Sequence, residues 1–505
     1  MKSSISAILD SGFNGLKIDI ECHMSNGLPN IIIVGFANKA VDEAKERIRS
    51  AFASSNIILP KKRITINLAP ADVPKESTSL DVGMAVSILH RGGIIKILPD
   101  NTLFIGELGL DGSIRPVRGV IGKLIAAKKH KLTKVILPSK NMDQASLVAG
   151  IDIYPVKNLE ELRNLLDKPL APPTTLPKSP LNDSRKAPAA VSLQDIVGQP
   201  FAKRALEIAA AGNHNVLLNG PPGTGKSMLA KALISILPDP TTEEMLEITH
   251  LHSLAVNNFD SVVSERPFRS PHHSSSDTAI MGGGKNPRPG EISLAHRGVL
   301  LFDEFPEFRR SALEGLRQPL EDATVNISRA KESVDYPADF LFIATANPCP
   351  CGFYGSNKTC ACLPAQITKY QKKLSGPIID RIDIFAEVSQ TPHEQLLRDT
   401  SLEQSSADIR KRVTKARQAQ QARYGSSKVT NSTINNAQIK KYAQLTTNSK
   451  NLLDGAADKL QLSSRGYMKT IKVARTIADL DGSSEIQTKH LAEALQYRKK
   501  PLMML

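Results

Sequence analysis

A chain of 505 residues has room for roughly three domains, each with its own core. Its 41% apolar and 23% charged content is that of a globular protein, and five cysteines, four of them clustered, exclude a secreted disulfide framework. A formal charge of +15 points to a polyanionic partner, and no apolar run reaches the roughly eighteen residues of a membrane helix.

Residues 1–168 alternate short elements. Ile31–Phe36 and Ile64–Leu68 predict buried strands, and Asp42–Phe52, Leu80–Leu89 and Gly122–His130 predict helices, the last feeding a strand over Lys134–Leu137. The start, Met1-Lys2-Ser3-Ser4-Ile5, lacks the apolar core of a signal peptide, which predicts a cytoplasmic protein. Residues 169–190 hold repeated prolines and few large apolar side chains. Proline fixes φ and removes a donor, so this stretch predicts an extended linker.

Residues 191–390 form the nucleotide module. The apolar run Asn215–Asn219 leads into Gly220-Pro221-Pro222-Gly223-Thr224-Gly225-Lys226-Ser227 and then Met228-Leu229-Ala230. Strand, glycine loop and helix at this spacing make a P-loop. Gly223 and Gly225 leave backbone N–H groups free to wrap phosphates, Lys226 is placed for the β- and γ-phosphates of ATP, and Ser227 for Mg²⁺. About 80 residues on, Gly298–Phe302 is an apolar strand ending in Asp303 and Glu304. Beyond a P-loop such a pair predicts one acid for metal, Asp303, and one for the attacking water, Glu304. The buried strand Phe340–Ala346 ends in Asn347, placed either to sense the γ-phosphate or simply to make the turn before Pro348. Arg381, in Gly376-Pro377-Ile378-Ile379-Asp380-Arg381-Ile382-Asp383, suits a neighbour's γ-phosphate or an internal pair with aspartate.

Cys349, Cys351, Cys360 and Cys362 follow at once as C-x-C-x₈-C-x-C. Four thiols in fourteen residues are either a tetrahedral Zn²⁺ set or reduced cysteines packed in a loop. Adjacent His272 and His273 suit hydrogen bonding better than metal. Residues 391–505 are helical by periodicity and hold 20 Lys and Arg against 10 Asp and Glu. Six of the basic residues lie on Ile409–Tyr424, a helix suited either to DNA or to solvent.

The set of P-loop, Phe302-Asp303-Glu304, Ala344-Thr345-Ala346-Asn347-Pro348-Cys349-Pro350-Cys351-Gly352 and the Arg381 segment resembles the AAA+ ATPases of the magnesium-chelatase type, and within them the ComM/YifB family. Phe268–Ser274 and Gly290–His296 resemble the insert of that clade, Ile327–Lys331 its pre-sensor hairpin, and Leu462–Tyr467 with Val473–Leu480 its helical lid. The resemblance implies an α/β chain of three parts: a Lon-protease-like α+β domain over 1–168, an AAA+ core over 191–390 beyond the linker, and a lid over 391–505. It implies a homo-hexamer acting on single-stranded and branched DNA, with Asn347 as sensor 1, Arg381 as arginine finger, Arg465 as sensor 2, and Arg329 and Lys331 in the pore. Two cations on a hairpin also suit phosphate gripped without sequence readout.

The Lon likeness places Ser79 and Lys123 at the protease dyad positions. The expected glycine, proline and alanine are missing there, and Leu80 and Asp81 stand in their place. A neighbouring carboxylate favours the charged lysine, which cannot act as a base, so an inert scaffold is predicted. The sequence thus predicts an ATP-driven helicase for branch migration of recombination intermediates, as in natural transformation. A chelatase-like motor subunit and a protein-remodelling ATPase are the rival readings.

Overall fold

The computed structural model describes residues 4–498 except 12–13, 36–38, 74, 76, 171–190, 256–261, 285–286, 329–332, 357, 374–377, 392–393 and 395–403. Most of the proline-rich linker therefore lies outside the described residues, as do Arg329 and Lys331.

The first part is a seven-stranded sheet. Its strands are β1 (Ser4–Ser11), β2 (Asn14–Ser25), β3 (Asn30–Val34), β4 (Arg63–Ala69), β5 (Thr102–Phe104), β6 (Lys134–Pro138) and β7 (Asp152–Val156), in the order β3-β4-β2-β1-β5-β6-β7. β2 runs antiparallel to β1 and β4, and the other neighbours are parallel. Helices α1 (Ala44–Ser54), α2 (Asp81–Arg91) and α3 (Val120–Lys129) cover it, so the predicted helices are present within two or three residues. The long hairpin of β1 and β2 was not predicted. Its polar positions, such as Asp19 and Glu21, alternate with Ile18 and Ile20, both fully buried, and mask a continuous apolar run.

At the dyad positions, Ser79 Oγ accepts from Ser77 Oγ at 2.8 Å and Lys123 Nζ donates to the Arg118 carbonyl at 2.9 Å. Asp81 is committed to Arg47, whose Nε and Nη2 donate to its two oxygens at 2.7 and 3.1 Å. Burial nonetheless pushes the Asp81 carboxyl up to about 6.

The second part begins with α4 (Pro200–Gly212) and holds a five-stranded sheet made of β8 (Val216–Asn219), β9 (Phe268–Arg269), β10 (Val299–Phe302), β13 (Leu341–Ala346) and β14 (Ile384–Glu387). Between β10 and β13 lies the antiparallel hairpin of β11 (Thr324–Ser328) and β12 (Ser333–Pro337). The five strands are all parallel, in the order β9-β10-β13-β8-β14. Strands such as Val299–Phe302 and Leu341–Ala346 are buried at every position, as a parallel sheet between helical layers requires.

Helix α5 (Lys226–Ala232) follows the P-loop, and α6 (Thr242–Ala255) reaches the first part. There α3 packs on α6, and the missing side chain of Gly122 makes room for the His250 imidazole; a Cβ at 122 would stand 2.4 Å from that ring.

Helix α7 (Pro364–Lys373) leaves the cysteine segment. The helices α8 (Ser406–Tyr424), α9 (Thr447–Leu460), α10 (Ser464–Leu480) and α11 (Thr488–Gln496) form the C-terminal layer. The basic helix α8 is not merely solvated, because half of its six basic residues are tied to neighbouring helices. Arg412 donates to Glu207 at 2.6 Å, Arg417 to the Ala210 carbonyl at 2.8 Å, and Arg423 to Asp479 at 3.0 Å. These three arginines fasten α8 to the helices packed on it, while Lys411 and Lys415 stay exposed. Among the described residues no helix is long and apolar enough to cross a membrane.

Candidate nucleotide site

The P-loop leaves the C-terminal end of β8 in the middle of the parallel sheet. Gly223 and Gly225 have φ of +76° and +84°, and a Cβ on either would meet nothing within 4 Å. Left-handed backbone explains why glycine stands there, and the open space above it is a cradle for a ligand. Gly220 serves a different need: its Cα lies so close to the backbone just after β14 that a Cβ would stand 2.1 Å from the Val388 carbonyl oxygen.

Lys226 turns back into this cradle. Its ammonium donates to the carbonyls of Gly220 and Pro221 at 2.8 and 2.7 Å and to Asn347 Oδ1 at 3.1 Å. An ammonium has three N–H bonds, and each is directed at the rim of the loop. Burial pushes its pKa down, against the pull of Asp303 and Glu304. Thr224 Oγ1 donates to the Pro221 carbonyl at 2.9 Å, which closes the loop. Pro222 shapes the same turn, and Met228 is half-exposed on the first turn of α5.

Ser227 Oγ donates to the Asp303 carboxylate, 2.8 Å from the nearer oxygen. β8 and β10 flank β13 in the sheet, so the hydroxyl and the acid meet above the central strand. Thr345, on β13, donates to Asp303 Oδ1 at 2.6 Å and accepts the Glu304 backbone N–H at 2.9 Å. It fixes both acids at once and was missed from the sequence. Its two-residue offset from Asn347 puts it on the same strand, and that was the available signal. Glu304 itself sits at φ +54° with its carboxylate exposed. Backbone N–H groups, an ammonium and a hydroxyl–carboxylate pair are the donor set that a magnesium nucleotide needs, so these residues fit ATP and Mg²⁺.

Arg381 and Arg465 are elsewhere. Arg381 precedes β14, whose Ile384 pairs with Val216 at the start of β8, whereas the P-loop follows Asn219 at its end. The intervening strand is about 13 Å long. Arg381 Nη2 lies 2.6 Å from Glu321 Oε1, and Arg465 Nη2 reaches the same oxygen at 3.5 Å. The internal partner seen for Arg381 among the described residues is a glutamate, Glu321. A cavity of about 500 Å³ opens here, lined by Asn213, Glu321, Phe340, Arg381, Arg465 and Lys469 among others. Glu321 gave no sequence signal, because it sits 60 residues before Arg381 near the end of a short helix, Arg317–Asp322.

The arginine segment is anchored below by Asp383. That carboxylate accepts Lys469 Nζ at 2.7 Å and the Asn215 N–H at 2.9 Å, and the His214 Nδ1 lies 3.6 Å away. Burial alone would raise its pKa, but Lys469 and His214 hold the carboxyl well below the usual range. Burial pushes His214 down as well.

The Sγ atoms of Cys349, Cys351, Cys360 and Cys362 all lie within 4.8 Å of one another. His272 bonds Ser274 Oγ through Nδ1 at 2.7 Å, and its ring faces His273 at 4.1 Å.

Comparison with known proteins agrees along the whole length. Residues 192–396 match the family described as magnesium chelatase, subunit ChlI, residues 20–141 match subunit ChlI of Mg-chelatase, and residues 403–498 match its C-terminal region. The competence protein ComM of Haemophilus influenzae is 43% identical over 496 residues, covering 96% of this chain and 95% of that protein. The uncharacterized protein YifB of Escherichia coli is 40% identical over 491 residues, with 96% and 95% coverage. The magnesium-chelatase 67 kDa subunit of Chlorobaculum tepidum is 27% identical over 160 residues, 31% of this chain and 23% of that one. Identity of that extent, over the P-loop, the acidic strand and the helical C-terminus together, means that the chain belongs to the ComM/YifB family of magnesium-chelatase-type AAA+ ATPases.

Proposed function

We propose that this protein is a ring-forming ATP-driven DNA motor, a helicase that promotes branch migration of recombination intermediates in natural transformation. The observation that carries the ring is the placement of Arg381 and Arg465 on one carboxylate at the end of the sheet away from their own P-loop. Two arginines gathered there serve no phosphate of their own subunit. They suit the γ-phosphate held by a neighbouring copy, which a hexamer supplies all the way round.

In this reading Lys226 exchanges its carbonyl partners for the β- and γ-phosphates, and Asn347, released from Lys226, turns to the γ-phosphate. Magnesium arriving with ATP would be held by Ser227 and Asp303 and would neutralise charge on the phosphate oxygens. Glu304 takes the proton of the attacking water, and Thr345 keeps that acid in line through its backbone. Arg381 and Arg465 of the neighbour stabilise charge spreading over the transferred phosphoryl group.

DNA as the track is supported by near full-length identity with a competence protein and by the net charge of +15. It is also supported by the two cations, Arg329 and Lys331, that the sequence places between β11 and β12. The short chelatase match, covering 31% of this chain, favours a chelatase-like motor subunit less. The test is ATP-dependent unwinding and branch migration of a labelled Holliday-type junction, with Lys226→Ala as control. Strand exchange by the wild type and not the variant is expected. ATPase activity indifferent to DNA, with no strand movement, would reject the DNA motor in favour of the chelatase-like or protein-remodelling readings.

A further inference from the structure

We propose that Cys349, Cys351, Cys360 and Cys362 hold one structural zinc ion, and that this ion clamps the P-loop, Asn347 and the turn after Glu304 into one unit. The coupling to the nucleotide rests on the reading of the site given above; the metal site does not.

The geometry of the thiols is that of a single tetrahedral ion. Cys349 Sγ lies 3.4 Å from Cys351 Sγ and 3.7 Å from Cys360 Sγ, and the last two are 3.5 Å apart. Ligands about 2.3 Å from a central zinc at tetrahedral angles stand about 3.8 Å from one another. Disulfides would bring sulfurs to about 2.0 Å, and all four cysteines are free thiols. A separation within 4.8 Å also leaves no space for an iron–sulfur cluster, whose several irons need a wider cage. Around the sulfurs, the Cys351 N–H points at Cys362 Sγ at 3.4 Å and the Tyr354 N–H at Cys349 Sγ at 3.3 Å. Backbone donors aimed at sulfur stabilise thiolates and orient them as ligands.

Each arm of this cluster leads to the nucleotide site. Cys349 is two residues from Asn347, which holds Lys226. Gly352, at φ +84°, lies against the P-loop, and a Cβ there would stand 2.5 Å from Pro222 Cδ. From Cys362 the chain enters α7, where Gln371 Nε2 donates to the Pro348 carbonyl at 3.2 Å and Lys373 Nζ to the Pro306 carbonyl at 3.0 Å. Tyr370 on the same helix meets the Asn347 backbone N–H. A central ion would tie the two C-x-C arms directly together, and without it three parts of the nucleotide site lose that common anchor.

The experiment measures metal and nucleotide separately on the reduced full-length protein. Elemental analysis should find about one zinc per chain, absent from Cys362→Ser, while titration with a fluorescent ATP analogue should weaken by roughly tenfold to a hundredfold in that variant. Gly352→Ala keeps every ligand; it should retain zinc yet show a raised KM for ATP, with kcat changed less. Wild type with only traces of zinc, or with iron in its place, overturns the metal site. Zinc present but ATP binding equal in wild type, Cys362→Ser and Gly352→Ala overturns the clamp. Zinc-loaded wild type that binds no ATP at all refutes the nucleotide reading and the clamp with it, and still upholds the metal site.

Discussion

The Arg381 guanidinium and the Glu321 carboxylate stand 2.6 Å apart at the end of the parallel sheet opposite the P-loop, with Arg465 against the same oxygen. In the proposed ring, a neighbour's phosphate would compete with Glu321 for both arginines. Arg381→Ala should lower ATP turnover by about three orders of magnitude, as loss of an arginine finger does. Subunit mixing supplies the check. Arg381→Ala and Lys226→Ala proteins, each inactive, should regain part of the activity when combined, because some interfaces then hold an intact P-loop opposite an intact arginine. Mixtures that stay inactive would place Arg381 in its own subunit's site.

Glu304 and Asp303 are adjacent yet differently held. Asp303 accepts from Ser227 and Thr345, whereas the Glu304 side chain is exposed. Glu304→Gln should leave ATP affinity within about threefold and cut hydrolysis by roughly 10²–10⁴. Thr345→Val should lower hydrolysis less, through misplacement of both acids. Equilibrium binding of ATP beside single-turnover hydrolysis separates these outcomes.

Acid should loosen the junction of lid and core. Burial holds the His214 pKa below its ordinary value, so the unfolded chain takes up a proton near pH 6.5 that the folded chain does not. Stability from this group is complete above about pH 6.5 and falls as the pH drops below it. Asp383, held low by Lys469, adds a loss that begins only near pH 4, the ordinary carboxylate range. Urea denaturation from pH 7.5 to 5 should follow this slope in the wild type and be flatter in His214→Asn. Asp383→Ala leaves Lys469 buried without its partner and should cost about 3–5 kcal/mol at neutral pH.

Charge removal along α8 should sort by contact rather than by sign. Arg423→Ala strips a donor from Asp479, which is 6% exposed, and should lower the melting temperature by several degrees, about what 1–3 kcal/mol does in a chain of this size. Lys411→Ala with Lys415→Ala should move stability by less than about 0.5 kcal/mol. If that pair instead abolishes DNA binding while Arg423→Ala leaves it intact, the exposed edge of α8 is part of the DNA surface.

The nucleotide site was legible because its chemistry is local. Gly223, Gly225, Lys226 and Ser227 adjoin in the chain, and the runs before Asp303 and Asn347 are apolar except at Thr345, as buried parallel strands are. The partners of Arg381 and Arg465 were not legible. Glu321, Arg381 and Arg465 come together only through the fold, and an exposed glutamate carries no pattern of its own. For the same reason the arginines of α8 read as a basic face. Nothing in the spacing of Arg412, Arg417 and Arg423 announces Glu207, the Ala210 carbonyl or Asp479. The β1–β2 hairpin was hidden by its alternation, since a strand with one wet face resembles a loop until its partner is known.

His250 occupies the hollow left by Gly122, so the helix at the lysine position of the Lon-like fold has become a seam with the ATPase core. Well-packed contacts of this kind pass a displacement on rather than absorb it. Helix α6, which carries His250, begins ten residues beyond the P-loop helix, so the seam lies one short connection away from the nucleotide cradle. A side chain on Gly122 would have to push the imidazole and its helix away, so Gly122→Ala should part the helical layer of the seven-stranded sheet from the ATPase core.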